Sequence, residues 1–172
     1  NNRGHRFEEQ IATMKRIWAG EDVDSENGVG PVGPPPVQKG GPEILIGGGT
    51  PQAIARAGRL ADGFLAAGTQ PQAVEASYQM AVDAWQAEGK PGKPRLAAVA
   101  SYALGPNAAD VGGGYIRHYY SFLGPVAEEM AQNAISSTEA VTGLIHDLEG
   151  IGMDELVFLP CAADMGQLDR LA

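Results

Sequence analysis

Hydrophobic positions along the chain keep to two periods, and the changes of period mark its elements. Phe7, Ile11, Met14, Ile17 and Trp18 recur every three or four residues, predicting a helix over 7–18 whose apolar stripe faces a core. Val74, Tyr78, Ala81 and Trp85 repeat that spacing over 72–88. Val141, Leu144, Ile145 and Leu148 do so over 136–150, where Ser136 and Glu139 have the spacing of a capping box. Short apolar runs bounded by Gly and Pro predict strands at 43–47, 62–67, 95–103 and 155–160. The segment 107–134 predicts one or two helices with a loose start around Gly112–Gly114, and 167–172 begins another. Gly20–Lys39 is a long connection, extended at Pro34–Pro36 because proline fixes φ and restricts its neighbours.

Strands alternating with helices give a parallel sheet with right-handed crossovers. Two architectures fit an α/β chain of 172 residues: an open four-stranded sheet, or half of a (β/α)8 barrel, which needs about 250 residues in all. The lack of an initiator Met and a last helix cut short favour the half barrel. The chain is then one domain, 1–172, within a longer protein, with a loop or helical insertion at about 105–134.

The stretch from Gly41 to Ala67 concentrates the chemistry. A strand over Glu43–Ile46 runs into Gly47, Gly48 and Gly49, which let the backbone turn with no side chains in the way. Thr50 suits the N-cap of the next helix and Pro51 its first position. A helix N-terminus carries unpaired N–H groups and partial positive charge, so glycines before it let an anion approach the backbone. The pattern is neither a Walker loop nor a dinucleotide fingerprint: no Lys follows and the spacing differs. A tight turn before a capped helix is the competing structural reading.

Composition narrows the partners. A hydrophobic share of 44% supplies a core and argues against disorder. A net charge of −9 argues against nucleic acid and against an anionic membrane surface. One cysteine excludes an internal disulfide and fits a reducing compartment such as the cytoplasm. No His, Cys and carboxylate cluster has metal-ligand spacing, so no metal is expected.

Taken in order, the motifs are similar to one family. Arg6-Phe-Glu-Glu running into Ile17-Trp18, Pro34-Pro-Pro-Val-Gln, Pro42-Glu-Ile-Leu-Ile-Gly-Gly-Gly-Thr-Pro and Ala61-Asp-Gly-Phe resemble the bacterial luciferase-like monooxygenases. So do Ser137-Thr-Glu-Ala-Val, Gly152-Met-Asp-Glu-Leu-Val-Phe-Leu-Pro and Gln167-Leu-Asp-Arg-Leu-Ala. The resemblance covers nearly the whole chain, most loosely over 105–134. It implies the C-terminal half of a TIM-type barrel, strands five to eight, using FMN or coenzyme F420 on a small organic substrate. It also implies a homo-oligomer of the full-length protein. Carried over residue by residue, the family's phosphate site falls on Gly48, Gly49 and Thr50. Some members place a polar side chain where this chain has Gly48 or Gly49, so here the backbone does more of the binding.

In such a barrel, sites lie at the C-terminal ends of strands. That nominates 66–69, 102–105 and 160–161 as wall, and Tyr115, His118, Tyr119 and Tyr120 as groups that contact or gate a substrate. His118 and Tyr119 are the catalytic candidates; packing tyrosines and a solvated His are the structural alternative. Cys161 reads as a small buried residue, Asp62 as a turn-capping carboxylate, and Arg56 and Arg59 as solvated charges that can aid an anion. Two functions compete: a flavin- or F420-dependent oxidoreductase, and a non-catalytic α/β module that binds a phosphorylated ligand or another chain.

Overall fold

A computed structural model describes residues 2–66 and 68–172. Its elements are α1 (Arg3–Trp18), β1 (Leu45–Gly47), α2 (Pro51–Leu60), β2 (Gly63–Ala66), α3 (Pro71–Ala87), β3 (Arg95–Tyr102), α4 (Ala108–Tyr119), α5 (Pro125–Gln132), α6 (Thr138–Gly150), β4 (Glu155–Pro160) and α7 (Gly166–Leu171). A 3-10 turn at Ser121–Leu123 joins α4 to α5. The four predicted strands form a parallel sheet in the order β1-β2-β3-β4. Adjacent strands are successive in sequence because each helix returns the chain beside the strand it left. Ala67, predicted as strand and wall, lies outside the described residues. Among the described residues no helix is long and apolar enough to cross a membrane.

The chain divides into two compact units. Unit 1 runs to Phe64 and includes Met80–Pro94; unit 2 is Leu65–Gln79 with Arg95–Ala172.

In unit 1, α1 buries Ile11 and half-buries Ile17 and Trp18, and it also makes polar contacts. Phe7 and Met14 of the predicted stripe are exposed. Glu8 accepts hydrogen bonds from Arg56 Nε at 2.9 Å and Arg59 Nη2 at 3.1 Å, so both arginines of α2 are tied to α1 instead of standing free in solvent. The C-terminal end of α2 has unpaired carbonyls and partial negative charge. Lys15 donates to Leu60 O at 2.8 Å, and Lys90 to Gly58 O at 3.0 Å and Ala61 O at 3.2 Å, supplying both donors and countercharge. Burial is the main force pulling the Lys90 pKa down, with Lys15 second. Gly58 lets α2 meet the later turns of α3: a Cβ there would press on Ala81 O and lie 2.6 Å from Ala84 Cβ.

In unit 2, β3 and β4 are parallel, with Val99 opposite Val157, Ser101 opposite Leu159 and Tyr102 opposite Pro160. Asp154 pins this register at the start: its N–H donates to Leu96 O at 2.9 Å and its carboxylate accepts from Leu96 N at 2.7 Å. Side chains alternate across a sheet. Tyr102 and Phe158 meet edge to face at 5.9 Å and join Leu104, Val141, Ile135 and Leu171 in one core. Val157 and Leu159 point to the other face and are 38% and 46% exposed, which leaves that face of β4 apolar and uncovered.

Three local expectations are corrected. The cap of α6 is Ser137, whose Oγ accepts from Ala140 N at 3.1 Å, not Ser136; the helix begins one residue later than the Ser136–Glu139 spacing implied. Ile145 is exposed, so the apolar face of α6 narrows to Val141 and Leu148 with Leu144 half-buried. Gly112–Gly114 lie inside α4, not at a loose start. Glycine weakens a helix by about 1 kcal/mol against Ala, but here its lack of a side chain permits close packing. A Cβ on Gly112 would sit 3.3 Å from Ala134 Cβ, and one on Gly113 3.3 Å from Ala131 O.

Candidate functional site

The glycine turn of unit 1 is built as its sequence requires. Ile46 is buried as β1 ends, and the chain leaves the sheet through Gly47 and Gly48. A Cβ on Gly48 would run into Ala53 Cβ, so only glycine lets α2 start this close to the strand. Thr50 is extended, with φ −103° and ψ 148°, and its Oγ1 accepts from Ala53 N at 3.3 Å. The Thr50 carbonyl accepts from Ile54 N at 3.0 Å. Thr50 therefore satisfies two of the first amides of α2, and its own hydroxyl proton remains to be donated. Gly49, Thr50 and Gln52 are exposed. Asp62 accepts from Ile44 N at 2.8 Å, a bond back to the residue before β1 rather than a cap on its own turn.

A second feature lies wholly in unit 2: a cavity of 560 Å³, within the range of small-molecule sites. Gly68, Thr69, Gln70 and Ala73 line it after β2, Val99, Ala100 and Ser101 from β3, Ile116 from α4 and Tyr120 just past it. Val126, Glu129 and Met130 follow from α5, then Asn133, Ala134 and Ile135 after it. Ala103 N donates to Ile135 O at 2.9 Å, fixing where the chain comes back to the end of β3. Gly68, Thr69 and Tyr120 are among the residues nominated from sequence, and α5 lies in the expected insertion at about 105–134, although none of its residues was singled out. Its signal was present: 126, 129, 130 and 133 have helical one-face spacing, and Ala127 and Ala131 between them are buried.

Of the other candidates, Tyr115 and Tyr119 stack at 5.7 Å, and Tyr119 meets Tyr120 edge to face at 4.8 Å. Tyr119 is 58% exposed, and neither it nor His118 lines the cavity; Tyr120 does. Burial is the main cause raising the Tyr120 pKa, so its phenol keeps its proton. Tyr102, Ala103 and Leu104 are buried away from the cavity lining. Tyr102 OH donates to Gln167 O at 3.1 Å, and Gln167 bridges Leu104 in both directions, accepting from its N at 2.8 Å and donating to its O at 2.9 Å. That buried glutamine was missed because no local pattern marks a polar residue for burial. Cys161 is half-buried and burial raises its pKa, which keeps it a thiol.

Charge separates the two units. Unit 1 has ten carboxylates against nine Lys and Arg, net −1; unit 2 has eleven against three Arg, net −8. The glycine turn is in the balanced unit. The cavity is in the acidic one.

Comparison with known proteins identifies the family and the fold. Residues 1–155 match the family described as luciferase-like monooxygenase. No curated protein matches the chain by sequence. Among solved structures, the coenzyme F420-dependent tetrahydromethanopterin reductase from Methanopyrus kandleri is similar at TM-score 0.66 and 16% identity, over 92% of this chain and 58% of that one. EDTA monooxygenase from Chelativorans sp. BNC1 gives TM-score 0.66 and 16% identity, over 99% and 58%. An F420-dependent secondary alcohol dehydrogenase gives 0.64 and 15%, over 92% and 56%. The chain thus spans somewhat more than half the length of each, as a partial (β/α)8 barrel does.

Proposed function

The chain belongs to the luciferase-like monooxygenase family, and from that premise we propose that it is strands five to eight of a flavin- or F420-dependent oxidoreductase acting on a small organic substrate. The observation that carries the reading is the family match over 1–155 coinciding with a turn that only glycine can make.

The cofactor phosphate is assigned to Gly48, Gly49 and Thr50. The residues fit that group. No side chain at Gly48 stands between an anion and the backbone, the α2 dipole is positive at this end, and Thr50 can donate its hydroxyl proton while its oxygen holds Ala53 N. Reduced FMN supplies electrons for oxygen chemistry, and F420 supplies a hydride. The protein's part here is to bind and orient. The turn would grip the anionic end; the cavity of unit 2, taken by itself, offers a small molecule a largely apolar wall with the neutral Tyr120 phenol in it. Tyr120, rather than His118 or Tyr119, is the side chain of the 115–120 cluster placed to touch a substrate.

Titration of the intact protein with FMN and riboflavin, and with F420 and its riboside core lacking the phosphate, tests the assignment. We expect FMN or F420 to bind at least about tenfold more tightly than the form without phosphate, a difference of about 1.4 kcal/mol. Equal affinities would remove the turn from the site. Binding without turnover under a reductant would favour the non-catalytic module.

A further inference from the structure

The unit 2 cavity also carries information about what it admits. Its lining holds nine apolar or glycine positions, five neutral polar side chains and one carboxylate, and no Lys, Arg or His. The neutral polar groups are Thr69, Gln70, Ser101, Tyr120 and Asn133; the carboxylate is Glu129, at the exposed rim on α5. The only permanent cations in unit 2 are already matched. Arg95 pairs with Glu155, Arg117 with Glu128 at 2.6 Å, and Arg170 with Asp164 at 3.1 Å. The remaining carboxylates leave this unit at net −8. His146 lies beside Glu149 on the exposed side of α6, and His118 is exposed on α4; neither lines the cavity.

An anion entering such a space leaves water without gaining a cation from the described lining, and does so against the net negative charge of this unit. A neutral molecule loses less, because hydroxyls and amides can pair with it. A cation gains Glu129. We propose that the cavity takes neutral or cationic organic molecules with an apolar body, an amine or alcohol bearing a ring or chain, and rejects carboxylates and phosphates. The inference rests on the reading of this cavity as the substrate's.

Three probes of one shape test it: 3-phenylpropylamine, 3-phenylpropan-1-ol and 3-phenylpropanoate. Each is titrated by saturation-transfer NMR into the intact protein at neutral pH without cofactor. The amine and the alcohol should bind at least about tenfold more tightly than the carboxylate. Glu129→Gln should weaken the amine by roughly threefold and leave the alcohol unchanged, since the pair is at an exposed rim. Added salt at 0.5 M, on the order of a 4–5 Å Debye length, should shrink the amine-to-carboxylate ratio in the unaltered protein. A carboxylate that binds as well as the alcohol overturns the proposed class while leaving the cavity a substrate site. Failure of all three at millimolar concentration overturns the substrate role itself. The unaltered protein's ranking decides the matter even if the variant does not fold.

Discussion

The glycine turn of unit 1 and the cavity of unit 2 are built by opposite means. The contacts described at the turn join residues close in sequence: Gly48 against Ala53, Thr50 to Ala53, Asp62 to Ile44. The cavity draws on residues from Gly68 to Ile135, and its neighbour core is closed by Gln167 reaching Leu104. Their electrostatics differ as well, since one unit is nearly balanced and the other strongly acidic. A short-range motif can be recognised and carried from protein to protein. A cavity walled by helices distant in sequence can be reshaped without disturbing that motif.

If that contrast is right, the largest stability loss should come from the long-range side. Gln167→Leu leaves both the N–H and the carbonyl of Leu104 without their glutamine partner in a buried site. We expect about 3 kcal/mol of destabilisation, read from the urea midpoint, and a loss below about 1 kcal/mol would show the bridge to be ornamental. Gly48→Val sharpens the other side. Its Cβ meets Ala53, so α2 must shift, and we expect about 1–3 kcal/mol lost together with at least about tenfold weaker cofactor binding, measured by fluorescence titration. Unchanged affinity in a folded variant would detach the turn from binding.

Smaller effects separate structure from binding within the turn. Thr50→Val removes the acceptor for Ala53 N and should cost about 1 kcal/mol in the thermal or urea midpoint. Thr50→Ser should restore stability and binding together, because the hydroxyl is kept. The least effect is expected at the α1–α2 contact. Hydrogen bonding to Arg56 is the largest cause holding the Glu8 pKa below the usual glutamate value, with Arg59 adding to it. A depressed carboxylate pKa contributes stability that is present above the unfolded value, about 4.3, and is lost as pH falls through the folded value. Arg56→Gln should therefore flatten the fall of the urea midpoint between pH 5 and 2, by only a little because Glu8 is solvated; an identical profile would show that this pair does not couple to folding.

The sequence by itself determined the order and kind of the elements, because helices and strands announce themselves by local period and by glycine, proline and serine at their ends. The four strands at Leu45–Gly47, Gly63–Ala66, Arg95–Tyr102 and Glu155–Pro160 fall inside the runs that predict them, and Thr50 caps α2 as its place after three glycines required. Only tertiary structure decided which members of each pattern are used. Phe7 and Ile145 have the spacing of core residues yet are exposed, since burial depends on whether another element arrives to cover them. Arg56 and Arg59 look like solvent charges until Glu8, about fifty residues earlier, is brought beside them. The α5 wall, Gln167 and the concentration of negative charge in one unit are properties of which segments meet, and that is set by packing at long range rather than by any neighbouring residue.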